Sequence, residues 1–582
     1  MEMTEKKLNK RERHKAALSP IEYYPQIETL DFNSISEGDI FYLQDFGIFN
    51  TPIEEEAYTL RLRITAGRIT IAQLRAIADI AKRNELEIIL TARAGLQLHG
   101  LTCENVLQIY KQINEIGITT WQTFGDNVRN IVSDVYDGRG CMSVIETYPL
   151  IMQMQEYFLK TPRLVGMLPR RISTGISGNS ANVTSFFAND LYFALAKREG
   201  VFGFNVYMGG KNTEIARSAD IFLLPDEVVS FFKAFIEAFN KHGLRFTRTR
   251  TRLFHLLEEI GMEAFVEYVA HEYKQSWQKA GDLVLEKGLF SKYQRLKDGS
   301  YAFCYESNFG RISAEELMAI ADFAETHSAE VRLSTDHNLY ILGLSQPFSP
   351  FEHLKKSQTI VACAGSQYCP YSFWDIKDDA QLLPLEKISE HRIQIGISGC
   401  AKGCGRHQHC DIGLIGLRTN NFGNTDKGAR IYLGAEHSAG ISVGRELFEM
   451  VPLEHIRSVI DLIIHEYEQS GCDTFESFST QILKCYSIEF IALWLLIKLE
   501  SGAITPLYAM DTLEHVAEEY RFMAEKERLS GYFSTAVLAL IEDDFKDAIR
   551  QMSKKLWSVG ESDPQIAPQI KKLLVSKKYW EV

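Results

Sequence analysis

The sequence predicts an α+β fold whose core is built twice, followed by an all-α C-terminal extension. Three observations predict it. Ala57 to Leu101 (AYTLRLRITAGRITIAQLRAIADIAKRNELEIILTARAGLQLHGL) aligns without a gap to Ser300 to Leu344 (SYAFCYESNFGRISAEELMAIADFAETHSAEVRLSTDHNLYILGL), 243 residues further on. A second pair follows each copy: ISTGISGNSANV from Ile172 and IQIGISGCAKGC from Ile393, with Asp190 and Asp411 falling at the same offset. Beyond about Thr480 the repeats stop and amphipathic helical patterning takes over, punctuated by Pro506 and Gly531.

In order along each copy, the first element is a strand, AYTLRL or SYAFCY. Gly67/Gly310, Arg68/Arg311 and Ile69/Ile312 then match, and Thr70 and Ser313 stand as N-cap residues ahead of apolar residues at helical spacing. Leu74/Leu317, Asp79/Asp322 and Ala81/Ala324 fall on that helix. Each copy closes on alternating residues around Gly100/Gly343, LQLHGL and LYILGL, the period of a half-buried strand. Each copy therefore reads strand–helix–strand. Next, NIVSD of the first half corresponds to TIVAC of the second, with Asp134 at the position of Cys363. Arg170 and Arg171 open the strand LPRRIST, and Asn179 and Val183 stand at the positions of Cys400 and Cys404. Order and offset agree across separate segments, so the chain reads as a duplicated unit whose second copy alone keeps the cysteines.

Composition excludes several classes. The chain has 582 residues, 45% hydrophobic and 24% charged, with net charge −13. That acidity argues against broad phosphate neutralisation, so no nucleic-acid partner is expected. No apolar run reaches the length of a membrane span, and the charged N-terminus MEMTEKKLNKRERHK lacks the apolar segment of a secretion signal. A cytoplasmic location is expected, with the ten cysteines as thiols or metal ligands. No convincing G-x-G-x-x-G fingerprint follows a strand, so no dinucleotide-binding module is expected within the chain.

Cys363 and Cys369 form a C-x5-C pair, and Cys400 and Cys404 a C-x3-C pair. Four thiolates suit a [4Fe–4S] cluster, since each iron takes one soft external ligand. Structural zinc is the competing reading, although its usual C-x2-C spacing is missing. Cys410 reads as a small buried side chain, and Cys103, Cys141, Cys304, Cys472 and Cys485 are scattered. In the first half, Arg93, Arg129, Arg170 and Arg171 stand at the ends of expected strands. A guanidinium stays charged and its planar fork pairs with oxyanions, so together they point to an anion-binding cavity.

With the cysteine set, the duplicated unit, GDNVRN and LPRR before GISG in place, the chain from about Phe41 to Phe478 resembles the siroheme-containing sulfite and nitrite reductases. The resemblance implies a pseudo-twofold fold: an N-terminal extension (1–40), a ferredoxin-like half-domain (41–110), a siroheme and substrate domain (111–275), a second half-domain (276–350), a [4Fe–4S] and siroheme domain (351–478) and a helical extension (479–582). It implies siroheme and a [4Fe–4S] cluster, with Cys404 shared between the cluster and the siroheme iron. It places Arg93, Arg129, Arg171 and Ser173 against the substrate. It places Arg93, Gln97, His99, Asn130, Arg170, Asn338 and Arg406 around the tetrapyrrole. Ala94 and His337 replace glutamines common in the family, Arg171 replaces a lysine, and Ser173 stands where a second lysine or an asparagine is usual. Those departures leave sulfite and nitrite both open as substrates of a six-electron reduction. Ferredoxin, or a separate flavoprotein, is the implied donor, and an acidic chain would need a local basic patch to dock an acidic ferredoxin. The reading from another class is a non-catalytic iron–sulfur carrier or redox sensor, which has no use for an anion pocket.

Overall fold

The computed structural model describes residues 8–486, apart from 51–56, 183–185, 289–290, 352–358 and 420–425, together with a few positions between 488 and 495. Val183 and most of the expected helical extension lie outside the described residues. Two compact units are formed. The first takes residues 1–358 with 367–370 and 437–441, and the second takes 359–366, 371–436 and 442 onward.

The first unit opens with helix α1 (Lys10–Ala17), capped by the Asn9 side chain, which accepts the Arg11 and Glu12 N–H groups. The first copy follows as β1 (Ile48–Asn50), β2 (Tyr58–Leu62), the short β3 (Arg68–Ile69), helix α2 (Ile71–Arg83), and β4 (Glu87–Thr91) and β5 (Gly95–Leu101). Then come β6 (Thr174–Ser177), β7 (Leu191–Arg198), β8 (Val201–Met208), β9 (Arg217–Leu223) and helix α3 (Val228–His242). The second copy is β10 (Tyr293–Arg295), β11 (Tyr301–Tyr305), β12 (Arg311–Ile312), helix α4 (Ala314–Thr326), β13 (Glu330–Leu333) and β14 (Leu339–Leu344).

Both copies thus close on a hairpin rather than the single strand that alternation predicts. The reversal comes at Ala94 and His337, which hold φ of 50° and 69°. A left-handed non-glycine residue gives no compositional turn signal, and that is why the sequence hid the turn. The N-caps are as expected: Thr70 accepts the Gln73 N–H and Ser313 the Glu316 N–H, each at 3.1 Å in a capping box.

The two copies exchange an edge strand. One sheet runs β1-β2-β5-β4-β12 and the other β10-β11-β14-β13-β3, so each is completed by a strand of the other copy. Arg311 and Ile312 pair with Ile89 and Ile88, and Arg68 and Ile69 pair with Arg332 and Val331, the same contacts seen from the two sides of the repeat. The backbone repeats down to its unusual residues: Ala66 and Phe309 (49° and 52°) and Glu85 and Ser328 (53° and 51°) share positive φ. One apolar core runs through both copies, with Leu60, Leu74, Ile77 and Leu98 of the first beside Leu317, Ile320 and Ile341 of the second.

A separate sheet of the first unit runs β9-β8-β7, with β6 parallel to β7 and Thr174 opposite Leu191. The second unit carries β15 (Ile360–Ala362), β16 (Ile395–Ser398), β17 (Ile412–Thr419), β18 (Asp426–Leu433), β19 (Arg445–Pro452) and helix α5 (Leu453–Ser470), its sheet in chain order. There β16 is parallel to β17 with Ile395 opposite Ile412, the repeat of the β6–β7 register. The aspartate matched in the sequence does one job twice: Asp190 accepts the Ser173 N–H at 2.8 Å and Asp411 the Gln394 N–H at 2.9 Å.

Candidate functional site

In the first unit a basic cluster is assembled on the loop that precedes Asn130. Arg63, fully buried, fastens that loop by donating to the carbonyls of Trp121, Gln122 and Val128 at 3.3, 2.9 and 2.9 Å, and burial pulls its pKa down to about 9. Gln122 donates its N–H to the Asp45 carbonyl at 2.6 Å. The loop then folds onto Arg129, whose guanidinium donates to the carbonyls of Thr123 and of Gly125, the latter at 2.9 Å. Burial holds the Arg129 pKa well below its ordinary value, and Arg171, Arg61 and Arg93 push it the same way. The structure therefore brings together three of the expected arginines, Arg93, Arg129 and Arg171, and adds Arg61 from β2. Like charges brought close raise each other's free energy, and an anion received among them would relieve that cost.

Asn130 ties the loop to the first copy by donating from Nδ2 to the carbonyls of Ile64 (2.7 Å) and Arg93 (2.9 Å). Its buried Oδ1 has no hydrogen-bond partner among the described residues. Gln97 and His99 stand on β5. The Gln97 amide accepts from Arg61 Nε at 2.7 Å and donates to His99 Nε2 at 3.0 Å, and His99 Nδ1 meets Thr59 Oγ1 at 3.0 Å. Three further expected residues are engaged by protein groups. Arg170 faces Asp126, 3.9 Å away, and burial next to Arg248 lowers its pKa to about 10. The Ser173 hydroxyl donates to Asp190 Oδ2 at 2.6 Å, and Arg252 holds the other oxygen of that carboxylate at 2.8 Å. Asn338 shapes the β13–β14 turn, its Oδ1 accepting the Ser307 N–H at 3.1 Å.

Sequence reasoning missed Arg61 and Arg63, although the repeat alignment carries the signal. Arg61, Arg93, Gln97 and His99 of the first copy correspond to Cys304, Asp336, Tyr340 and Leu342 of the second. The second set is packed shut: Tyr340 donates to Asp336 Oδ2 at 2.7 Å, and its ring meets Tyr136 edge-on at 5.6 Å. One copy keeps a cationic pocket and its twin fills the same place with aromatic and acidic side chains.

Cys363, Cys400 and Cys404 stand in the second unit. Cys363 follows β15, donates its N–H to the Ile397 carbonyl at 2.9 Å, and its Sγ accepts the Gly399 N–H at 3.1 Å. Burial pushes its thiol up to about 12, and Cys404 adds to the rise. Burial likewise raises Cys400, again with Cys404 as an electrostatic neighbour. Gly403 allows the tight path between these two with φ of 71°, and a Cβ on Gly405 would stand 2.0 Å from the Ile397 carbonyl oxygen. Cys369 stands in the segment that belongs to the first unit. Arg406 follows at φ 56°, and Cys410 is buried with its Sγ toward the Arg406 carbonyl, as expected for a packing cysteine. In the first copy the positions of Cys363 and Cys400 are Asp134 and Asn179, joined by a 3.1 Å hydrogen bond from Asn179 Nδ2 to Asp134 Oδ1. Where one copy has thiols, the other has a self-satisfied polar pair.

Comparison with known proteins agrees with this division. The family model for the nitrite and sulphite reductase 4Fe-4S domain matches residues 124–277 and 355–476, and that for the nitrite/sulfite reductase ferredoxin-like half domain matches 52–116 and 294–346. A ferredoxin–nitrite reductase of Synechococcus elongatus is 29% identical over 498 residues, covering 80% of this chain and 97% of its own. The chloroplastic ferredoxin–nitrite reductase of Arabidopsis thaliana is 27% identical over 486 residues, covering 76% and 82%. The solved structure of the Mycobacterium tuberculosis NirA protein shares the fold with a TM-score of 0.76 at 23% identity, covering 83% of this chain and 97% of that one. Among the described residues no helix is long and apolar enough to cross a membrane. An iron–sulfur domain, repeated half-domains and relatives that are oxidoreductases favour an enzyme over the carrier-only and zinc readings: the chain is an enzyme of the nitrite and sulphite reductase family.

Proposed function

We propose that this enzyme reduces nitrite to ammonia with six electrons from ferredoxin, using a siroheme and a [4Fe–4S] cluster. The observation that carries the reading is the buried Arg129 with the half-buried Arg61, Arg93 and Arg171 acting on its charge, a grouping suited to anions. The relatives named as ferredoxin–nitrite reductases support nitrite and ferredoxin over sulfite and a flavoprotein.

The residues fit both groups. Siroheme carries many carboxylates, and the arginine cluster answers it, while the unmatched Asn130 Oδ1 offers an acceptor at the same place. Burial, with Cys404 as an electrostatic neighbour, raises the thiols of Cys363 and Cys400, and iron would displace their protons on binding thiolates. Cys369 would complete the set of four, and Cys404 would be the thiolate that serves both groups. The Gly399 N–H already aimed at Cys363 Sγ is the kind of hydrogen bond that tunes a cluster's potential. When bound, the two cofactors supply low-potential electrons and an iron site for the substrate.

The chain's own residues do the rest. Arg93, Arg129 and Arg171 hold the anion by charge-assisted hydrogen bonds and offset charge that grows on its oxygens as N–O bonds weaken. Gln97, held between Arg61 and His99, fixes the edge of the pocket. Ser173, its hydroxyl given to Asp190, adds no second cation, which suits a monoanion better than the partly dianionic sulfite. The test is the holoenzyme with reduced ferredoxin: nitrite is consumed with ammonia formed, and the visible spectrum shows the Soret and long-wavelength bands of siroheme. A loaded enzyme that leaves nitrite untouched overturns the proposal.

A further inference from the structure

The N-terminal helix lies ahead of residue 52, the first residue matched by the family models. Its Lys15 is nevertheless among the most deeply buried charges in the protein, its side chain 2% exposed. All three of its protons are used. Nζ donates to Glu12 Oε1 at 2.7 Å, to the Leu168 carbonyl at 2.6 Å and to Asp126 Oδ2 at 2.9 Å.

The last two partners are the ends of the two segments that carry the anion-site arginines. Asp126 lies three residues before Arg129, and Leu168 three before Arg171. The backbone stitches those segments side by side: Leu168 N–H donates to the Asp126 carbonyl at 3.2 Å, Ile172 N–H to Asn127 at 3.0 Å and Arg129 N–H to Ile172 at 2.8 Å. Arg248 grips both oxygens of Asp126 at 2.7 and 2.8 Å. Helix α1 is itself anchored, since Asn9 Nδ2 donates to the Arg245 carbonyl at 2.7 Å and Arg245 pairs with Glu12. A buried charge with one partner would cost stability, but a lysine with every proton matched fixes geometry.

We propose that Lys15 is a positioning residue for the anion site: through Asp126 and the Leu168 carbonyl it sets the spacing of the two segments that aim Arg129 and Arg171. This rests on the anion-site reading of those arginines. The test uses the full chain loaded with both cofactors, with rates expressed per bound siroheme. Lys15→Met removes the charge and keeps the stem, and kcat/KM for nitrite falls roughly 10- to 100-fold, mostly through KM, as expected when binding groups shift by a fraction of an ångström to an ångström. Lys15→Arg recovers part of the loss. The double variant Lys15→Met/Asp126→Asn is no worse than the poorer single variant, because both act through one contact. If Lys15→Met does not fold, Asp126→Asn, which keeps shape and drops charge, carries the same expectation. Hydrogen exchange on the cofactor-free chain supplies a readout independent of the reaction. It rises several-fold in peptides covering 123–130 and 168–173 while α3 stays unchanged. A lysine that is merely structural lowers yield or cofactor content but leaves KM per loaded site and the exchange of those two peptides at the parent values, and that outcome overturns the proposal. A parent enzyme that binds no anion would end the proposed function, while the exchange result would still decide whether Lys15 clamps the segments.

Discussion

Arg129→Met separates the cost of the arginine cluster from its use. In the free protein Arg129 is buried beside three other guanidinium groups, with two backbone carbonyls as its hydrogen-bond partners. Removing it gives up two charge-assisted hydrogen bonds, about 1.5–3 kcal/mol each before compensation. It also relieves desolvation and like-charge repulsion of similar size. The net change in stability of the cofactor-free chain is therefore within about 2 kcal/mol of zero, of either sign. Toward an anion the ledger is one-sided. A guanidinium about 4 Å from a monoanion contributes roughly 4 kcal/mol at an effective dielectric of 20, and partial replacement by Arg93 and Arg171 leaves a loss of about 2–3 kcal/mol. At 1.36 kcal/mol per decade this is about a hundredfold in kcat/KM. The assay is steady-state nitrite reduction with a reduced viologen, normalised to bound siroheme, beside thermal unfolding of the cofactor-free chain. A variant that loads both cofactors and turns over within a few-fold of the parent refutes the assignment of Arg129 to the anion.

Arg93→Ala keeps both cofactors and loses most turnover; unchanged rates would remove it from the pocket. Cys404→Ser disrupts both cofactors, since one sulfur is asked to serve two metals, and a normal siroheme spectrum in that variant would contradict the shared ligand. Gly67→Ala breaks the strand exchange, because Gly67 has φ of 73° and an added Cβ would stand 2.0 Å from the Leu333 carbonyl; a loss of about 2–4 kcal/mol in urea unfolding is expected, and a loss under 1 kcal/mol would mean that the exchange is loosely built. Asp45 is buried beside Asp126, and burial foremost lifts its pKa to about 7. Its folded value lies above its unfolded one, so the stability it lends is present below about pH 4 and is lost as pH rises through 7. Asp45→Asn therefore matches the parent near pH 4 and is more stable at pH 8 by about 2–4 kcal/mol, and a pH-independent difference would show that the carboxyl titrates normally.

The duplicated core was legible because its marks are local: Thr70 and Ser313 as caps, helical apolar spacing, and paired glycines at fixed offsets. The hairpin turns at Ala94 and His337 were not, since tertiary packing rather than composition imposes their left-handed backbone. The strand exchange was also hidden, because β3 and β12 are two residues each and pairing between residues so far apart in the chain leaves no periodicity. At the site, Arg93, Arg129 and Arg171 were legible through motif context and do come together. Arg61 was passed over because alternation on β2 reads as an ordinary half-exposed strand. Arg170 shows the converse: adjacent to Arg171 in sequence, it faces Asp126 because neighbouring residues of an extended segment point to opposite sides. Lys15 carries no motif, and although Asp126 lies in GDNVRN, their pairing exists only once a helix from the N-terminus has packed over the loop.

The most direct test sets nitrite and sulfite side by side on the cofactor-loaded enzyme with one reduced donor. The account predicts six-electron reduction of nitrite to ammonia with the higher kcat/KM, and a collapse of that rate in Arg129→Met. Preference for sulfite, or turnover of neither anion by an enzyme carrying both siroheme and cluster, would contradict it.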